Sequence, residues 1–349
     1  MIIDNSKIDK NIYGSINREN KSYSLDTLEV TSDYCLTENH KTQYGRAIRK
    51  YHQIAKLKQI IDVVSEDRKK IYWKTYHCDR VKLQEGTKLK GSLCRKRWCQ
   101  HCNRIKTAEL LGAYHQPLKD LDTLFFVTLT APTVKGRQLK SEIKKRYKAF
   151  TRIKDNIRKT YNIKIEGIRK TEVAYNEKTD KYHPHFHLIV KGRREAELIQ
   201  SLWLNQFDTA NIKAQDIREI DTKDSNNLIE IFKYATKDVT KNETTARAMD
   251  TIYRALEGVR TIQTYGSIRK VKEPKEQITE VAQIDWIEPQ NEIWVYDTIE
   301  ADYLNAKNER LINTKQIISR YEQNKNRQSK RSEKYHVLNE NDTKTKIEI

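Results

Sequence analysis

No stretch of this chain approaches the roughly 20 consecutive apolar residues that a membrane span requires. Its opening, Met1-Ile2-Ile3-Asp4-Asn5, lacks the charged-then-apolar start of a secretion signal. A cytoplasmic protein with no membrane partner is therefore expected. Cysteine is scarce and odd in number, five among 349 residues, which argues against a disulfide framework. No internal repeat is evident. Acidic residues are in deficit: 48 Asp+Glu face 67 Lys+Arg, a formal net charge of +19. Such an excess favours a polyanionic partner, and nucleic acid is the usual one. Hydrophobic residues, 37% of the chain, suffice for a core in the middle, while both ends are polar.

The cysteines are unevenly placed. Cys35 stands alone, Cys94-x4-Cys99-x2-Cys102 is a tight triplet, and Cys78 precedes it. Tetrahedral zinc takes four N or S ligands, and short Cys spacings let one turn supply two. Cys78, Cys94, Cys99 and Cys102 form a structural Zn2+ set, with His77 or His101 able to replace any one of them; the alternative is reduced, unliganded thiols. The flanking Arg95, Lys96, Arg97 and Arg104, with Trp98 among them, suit contact with a phosphate backbone. An ordinary solvated basic face is the other reading.

Four segments follow. Residues 1–70 read as an N-terminal arm ending in a basic amphipathic helix from about Gln43 to Val64. Residues 71–106 are the cysteine module. Within 107–272, Thr107–Leu118 reads as a short helix and Leu124–Thr130 as a central strand. A long helix carries Leu139, Ile143, Tyr147, Phe150, Ile153 and Ile157 on one stripe. Ile168–Tyr175 and His183–Val190 are strands around a polar turn, and helices are expected at Ala196–Phe207, Asn226–Val239 and Thr245–Leu256. Further strands are expected within Ile212–Ile220 and Val259–Arg269. Residues 273–349 form an accessory segment with Trp286 and Trp294 in a short hairpin or docking element, ending in a disordered tail from about Asn324. The class is α+β, with helices packed on one side of a sheet.

His183-Pro184-His185-Phe186-His187 runs directly into Leu188-Ile189-Val190. On a strand, residues two apart share a face, so His185 and His187 project together with Cα atoms roughly 7 Å apart. They could hold one metal ion or be two hydrogen-bonded, half-buried histidines. If the preceding turn centres on Lys178-Thr179, facing residues have numbers summing to about 357, and Glu172 sits opposite His185. A carboxylate beside two imidazoles suits a divalent cation that keeps open positions. One residue of register slip would turn Glu172 away. His183 shares the parity and is either a ligand or a group orienting one.

In Glu230-x-x-x-Tyr234-x-x-Lys237, Tyr234 lies about 40° and Lys237 about 20° from Glu230 around a helix. Leu228, Phe232, Ala235 and Val239 take the opposite side. Tyr234 therefore belongs to the polar face, with a carboxylate one turn back and an ammonium one turn forward. A surface cluster of polar side chains would look the same.

In order along the chain, Phe126-Val127-Thr128-Leu129-Thr130, His185-Phe186-His187 and Glu230-x-x-x-Tyr234-x-x-Lys237 resemble the three motifs of the replication initiator (Rep) proteins of rolling-circle plasmids, in the HUH endonuclease superfamily. The cysteine triplet and Arg260-Thr261-Ile262 with Tyr265-Gly266 are similar to features of one branch of these initiators. The resemblance covers about residues 75–270. It implies a central antiparallel five-stranded sheet with flanking helices, the histidine strand at its centre and the tyrosine helix beside the metal. It implies a Mg2+- or Mn2+-dependent nick in plasmid origin DNA, single-stranded at the cleavage point, by Tyr234. Glu230 would be the base for a terminating hydrolysis, Lys237 an aid to the phenolate, and a host helicase and DNA polymerase the partners. An HUH transposase or relaxase, or a non-enzymatic zinc-knuckle DNA-binding protein, are the competing readings.

Overall fold

The computed structural model describes residues 38–121, 123–221, 231–232, 240–271 and 281–314. These fall into two compact units interleaved along the chain. Among the described residues, the first takes 52–78 and those of 93–271, and the second takes 38–51, 79–92 and 281–314.

The first unit is built on the sheet of β3 (Leu124–Leu129), β4 (Gly167–Asn176), β5 (Lys181–Lys191), β6 (Asp216–Ile220) and β7 (Ile262–Tyr265). The five strands pair antiparallel in the order β6-β3-β5-β4-β7, so the histidine strand is central. α1 (Glu38–Val63) contributes residues to both units, and α2 (Glu66–Tyr76), α3 (Gln100–Lys119), α4 (Gly136–Tyr161), α5 (Arg193–Gln206) and α6 (Glu243–Ala255) belong to the first. α3 starts seven residues earlier than Thr107, because Cys99 caps it by accepting a bond from the Cys102 amide. Pro117 falls inside its last turn.

Helices cover both faces of this sheet, and the expectation of helices on one side is corrected. Phe125, Val127 and Leu129 of β3 join Phe186, Leu188 and Val190 of β5 in a core with Phe150 and Ile153 of α4 and Trp203 of α5. The opposite parity, Leu124, Phe126, Ile168 and Ile189, packs against Leu110, Tyr114 and Leu118 of α3 and against Ile231 and Phe232. The reason is visible in Leu188-Ile189-Val190: three successive apolar residues present to both sides of a strand, and each side needs cover. Pro184 lies beyond Phe186, where the pairing with β3 has stopped, an edge-like position that tolerates a missing N–H. Gly167 opens β4 because a Cβ there would stand 2.1 Å from the Ile189 carbonyl oxygen.

The second unit holds β1 (Val81–Gly86), β2 (Lys88–Gly91), β8 (Val281–Gln283), β9 (Gln290–Asp297) and β10 (Asp302–Leu304) in the antiparallel order β10-β9-β1-β2-β8. The hairpin expected around Trp294 exists as β9–β10, and β9 pairs with β1. Trp294 is buried, its indole N–H donating to Gln84 at 2.8 Å. The buried Lys82 ammonium pairs with Asp79 at 2.9 Å, and the Tyr303 hydroxyl donates to the same carboxylate at 2.9 Å.

In the first unit, α2 and α6 are joined through a buried charge cluster. Arg68 donates to Asp250 at 2.8 Å and to Glu257 at 2.6 Å, and the Tyr72 hydroxyl donates to Asp250 at 2.7 Å. Burial, then the Asp250 charge, pushes the Tyr72 phenol up, so it stays a donor. Removing Asp250 strips the buried Tyr72 hydroxyl of its acceptor and leaves the buried Arg68 with only the exposed Glu257. Asp250→Ala is expected to cost about 3 kcal/mol or more in urea unfolding, and a change under about 0.5 kcal/mol, as at an ordinary surface site, would contradict this.

Candidate functional site

A four-residue turn, 177–180, joins β4 to β5, so paired residues sum to 357 and Glu172 lies opposite His185. That register puts Glu172, His185 and His187 on one face, the face lined by Ile168, Ile189 and Phe126. Nε2 of His185 and Nε2 of His187 each lie 3.5 Å from the same oxygen, Oε2 of Glu172. The imidazole rings are nearly perpendicular, their centroids 4.8 Å apart. All three side chains are half-buried.

The outer nitrogens fix these rings. Nδ1 of His185 donates to the His183 carbonyl oxygen at 3.0 Å. A carbonyl only accepts, so this bond puts the proton on Nδ1 and leaves Nε2 of a neutral ring as a lone pair. Nδ1 of His187 lies 3.2 Å from the Thr128 hydroxyl across the β3–β5 pair. Lone pairs facing a carboxylate at 3.5 Å repel unless a cation or a proton lies between them. Ligand bonds of about 2.0–2.2 Å span such gaps, and a set of two nitrogens and one oxygen suits a divalent cation. The residues therefore fit a single metal ion.

Sequence reasoning missed Lys170 and Thr128 here. Lys170, paired with His187 in the register, is fully buried and forms an ion pair with Oε1 of Glu172. Burial opposes the Glu172 charge, but a proton shared with His185 and His187, and then the Lys170 ammonium, hold its carboxyl far below the usual range. Lys170 has the parity of Glu172 two positions away, a signal that was readable. Thr128 could be found only through the cross-strand pairing. His183 stacks on His185 at 5.0 Å but is not a member of the converging group. Burial, then His185 and Arg146, pushes its imidazole down to about 4, so it is neutral at pH 7.

Cys78, Cys94, Cys99 and Cys102 converge at the junction of α2, the 93–99 loop and the start of α3. Neither His77 nor His101 belongs to the group. Sulfur separations are 3.5 Å for Cys78–Cys102, 3.6 Å for Cys78–Cys99 and 3.7 Å for Cys94–Cys102. A zinc tetrahedron with bonds of about 2.3 Å has edges of about 3.8 Å, so the sulfurs fit that ion. Backbone amides of Cys94, Arg95, Lys96 and Cys102 donate to Cys78, Cys102, Cys94 and Cys99 respectively, at 3.2–3.4 Å. Hydrogen bonding with Cys102 pushes the Cys78 thiol up and the Cys94 thiol down, an uneven sharing of protons among crowded sulfurs.

The basic residues around this knuckle differ in what they touch. Arg97 donates to the carbonyls of Leu256 and Val259 at 2.7 and 2.8 Å, fastening the knuckle to the end of α6. Arg104 is buried, Lys96 is half-buried, and Arg95 is exposed and 4.0 Å from Glu109. Glu230, Tyr234 and Lys237 lie outside the described residues, as does Cys35. Ile231 and Phe232 are described: both are helical and buried on the same sheet face as the Glu172 group. The Phe232 ring stacks on Tyr114 at 5.8 Å, and its carbonyl accepts from Thr107 at 2.9 Å.

Comparison with known proteins bears on this arrangement. A family model described as "Replication protein" matches residues 86–304. A Staphylococcus aureus protein named "Protein rep" is 30% identical over 175 residues, 45% of this chain and 74% of the relative. A Bacillus "Protein rep" is 26% identical over 195 residues, 46% of this chain and 62% of the relative. One from Lentilactobacillus hilgardii is 24% identical over 209 residues, 51% and 65% of the two chains. No solved structure matches the chain. The chain belongs to the Replication protein family, and it is a plasmid replication initiator.

Proposed function

We propose that this initiator is a metal-dependent HUH endonuclease that nicks one strand of its plasmid's double-strand origin through a covalent tyrosine link. The observation that carries the reading is the convergence of two imidazole Nε2 atoms on one Glu172 oxygen, 3.5 Å from each. Ile231 and Phe232 pack on that same face, and Tyr234 is two positions further along the chain. The excess of 19 positive charges suits a DNA partner.

Glu172, His185 and His187 would hold Mg2+ or Mn2+. When bound, such an ion supplies Lewis-acid polarisation of a phosphate oxygen and neutralises charge developing there. Thr128 and the His183 carbonyl keep the imidazoles aimed, and Lys170 keeps Glu172 ionised and oriented. A tyrosine phenol ionises near pH 10 in water; as the Tyr234 oxygen attacks phosphorus, its proton passes to solvent water. The Lys237 ammonium, three positions further along the sequence, favours the phenolate. The bond from phosphorus to the 3′ oxygen breaks, and that oxygen takes up a proton. A 5′-phosphotyrosine and a free 3′-hydroxyl result, the latter a primer for a host polymerase behind a host helicase. Glu230, four positions before Tyr234 in the sequence, serves as base for a water that hydrolyses the link and ends the cycle. The cysteine knuckle holds a structural Zn2+, with Arg95 and Lys96 on its solvent-facing basic side while Arg97 and Arg104 are turned inward, and the protein works in the cytoplasm.

A denaturing gel with a single-stranded origin oligonucleotide and Mn2+ tests this. Wild type should give a cleaved strand and a covalent adduct. Tyr234→Phe should give neither while still binding DNA, and Glu230→Gln should form the adduct but release it about 10²–10⁴-fold more slowly. An adduct in Tyr234→Phe would place the nucleophile elsewhere, and no cleavage by wild type would favour a DNA-binding protein without activity. For the knuckle, metal analysis should find about one zinc per chain that survives mild chelation. A Cys99→Ser/Cys102→Ser variant should lose zinc and thermal stability together. Full zinc content in that variant would dismiss the assignment.

A further inference from the structure

The sheet has a second charged side that the cleavage reading does not use. α4 carries ten Lys and Arg against two acidic residues over Gly136–Tyr161. Its apolar stripe is buried under the sheet face of Phe125, Val127 and Leu188, the face opposite Glu172, His185 and His187. Two of the ten cations are engaged inward. Arg146 is buried and pairs with Glu142 at 3.0 Å, and Lys154 lies 4.3 Å from the Tyr265 ring centre. The outward row is different. Lys140, Lys144, Lys148 and Arg152 recur every four residues and are all exposed. At 1.5 Å per residue they stand about 6 Å apart along a line of about 18 Å. Lys144, Lys145, Lys148 and Arg152, with Gln206 and Phe207 at the end of α5, line an open groove of about 440 Å³. Lys145 lies over the Phe207 ring, 5.8 Å from its centre.

We propose that this outer face of α4 is a separate binding surface for the phosphate backbone of duplex DNA flanking the nick. The inference rests on the nuclease reading above. Charge complementarity selects a polyanion, since no carboxylate lines the groove. Geometry selects the form. A strand in contact with Glu172, His185 and His187 lies across a sheet and a helix from this row, so the DNA touching α4 is a different stretch of the origin, beyond the unpaired cleavage point. A rigid line of about 18 Å matches about five base pairs at 3.4 Å each, whereas a flexible single strand gains little from a rod of fixed charges without stacked aromatic rings. The contact would be independent of sequence, fixing where the duplex lies while recognition is made elsewhere.

The test compares full-length wild type with a Lys144→Gln/Lys148→Gln/Arg152→Gln variant, whose exposed positions leave the core untouched. A duplex fragment of the origin arm and a short single-stranded oligonucleotide spanning the nick are the two probes. Losing three phosphate contacts should make the salt dependence of duplex binding shallower by about 2.7 and weaken that binding on the order of 100-fold at about 0.15 M salt. Covalent attachment to the short oligonucleotide should persist, which shows that the nuclease reading still stands in the same sample. Equal losses on both probes would mean that the row belongs to the path of the cleaved strand, and no loss on either would make it a solvated face. Both results overturn the proposal.

Discussion

The register of the β4–β5 hairpin is the constraint on which the rest depends. Glu172 reaches the two imidazoles only because a four-residue turn pairs Asn176 with Lys181, and a slip of one residue would reverse its face. Both edges of the hairpin hold that register. β3 pairs along β5 from Phe186 to Lys191, and β7 pairs along the start of β4. Side chains reinforce it, since the opposite face of β4 carries a fully buried Arg169. Its guanidinium lies 4.0 Å from the Tyr147 ring centre and 4.9 Å from that of Phe186. Precision at the site therefore comes from a sheet packed on both faces, the rigid support that a three-ligand site requires.

The two faces divide the chemistry. On one side lie the converging acceptors, α3, and the helical pair Ile231 and Phe232, which stand between Glu230 and Tyr234 in the sequence. On the other, α4 and α5 bury their apolar stripes and turn a cationic row outward. Within the first unit, the knuckle is fastened to the end of α6 by Arg97 and to α2 by Trp98, whose indole N–H donates to Thr75 at 2.7 Å. Loss of the knuckle's geometry would thus loosen α6, which also carries the Asp250 charge cluster.

Much of this was legible in the sequence because it rests on local periodicity. The period of two in His185-Phe186-His187 and the turn at Lys178-Thr179 together dictate the hairpin and its register. The spacing of Cys94, Cys99 and Cys102, with Cys78 upstream, likewise indicates a convergent sulfur set, and the structure brings those four together at the end of α2. What escaped depends on distant contacts. β1 finds β9 more than 200 residues later, and no local pattern in Val81–Gly86 announces that partner. Buried Lys82 and Lys170 read as surface charges until Asp79 and Glu172 are seen beside them. Helices were expected on one side of the sheet only, although the unbroken apolar run Leu188-Ile189-Val190 carried the signal for cover on both faces.

The central claim is that Glu172, His185 and His187 form one divalent-cation site. Titration of the zinc-loaded, otherwise metal-free protein with Mn2+, followed by electron paramagnetic resonance of the free ion, measures this without any cleavage assay. Wild type should bind one Mn2+ per chain. Glu172→Ala and His187→Ala should each weaken that binding by at least the 10–100-fold typical of losing a group that merely orients a ligand. Unchanged Mn2+ affinity in Glu172→Ala, with the fold intact, would contradict the account.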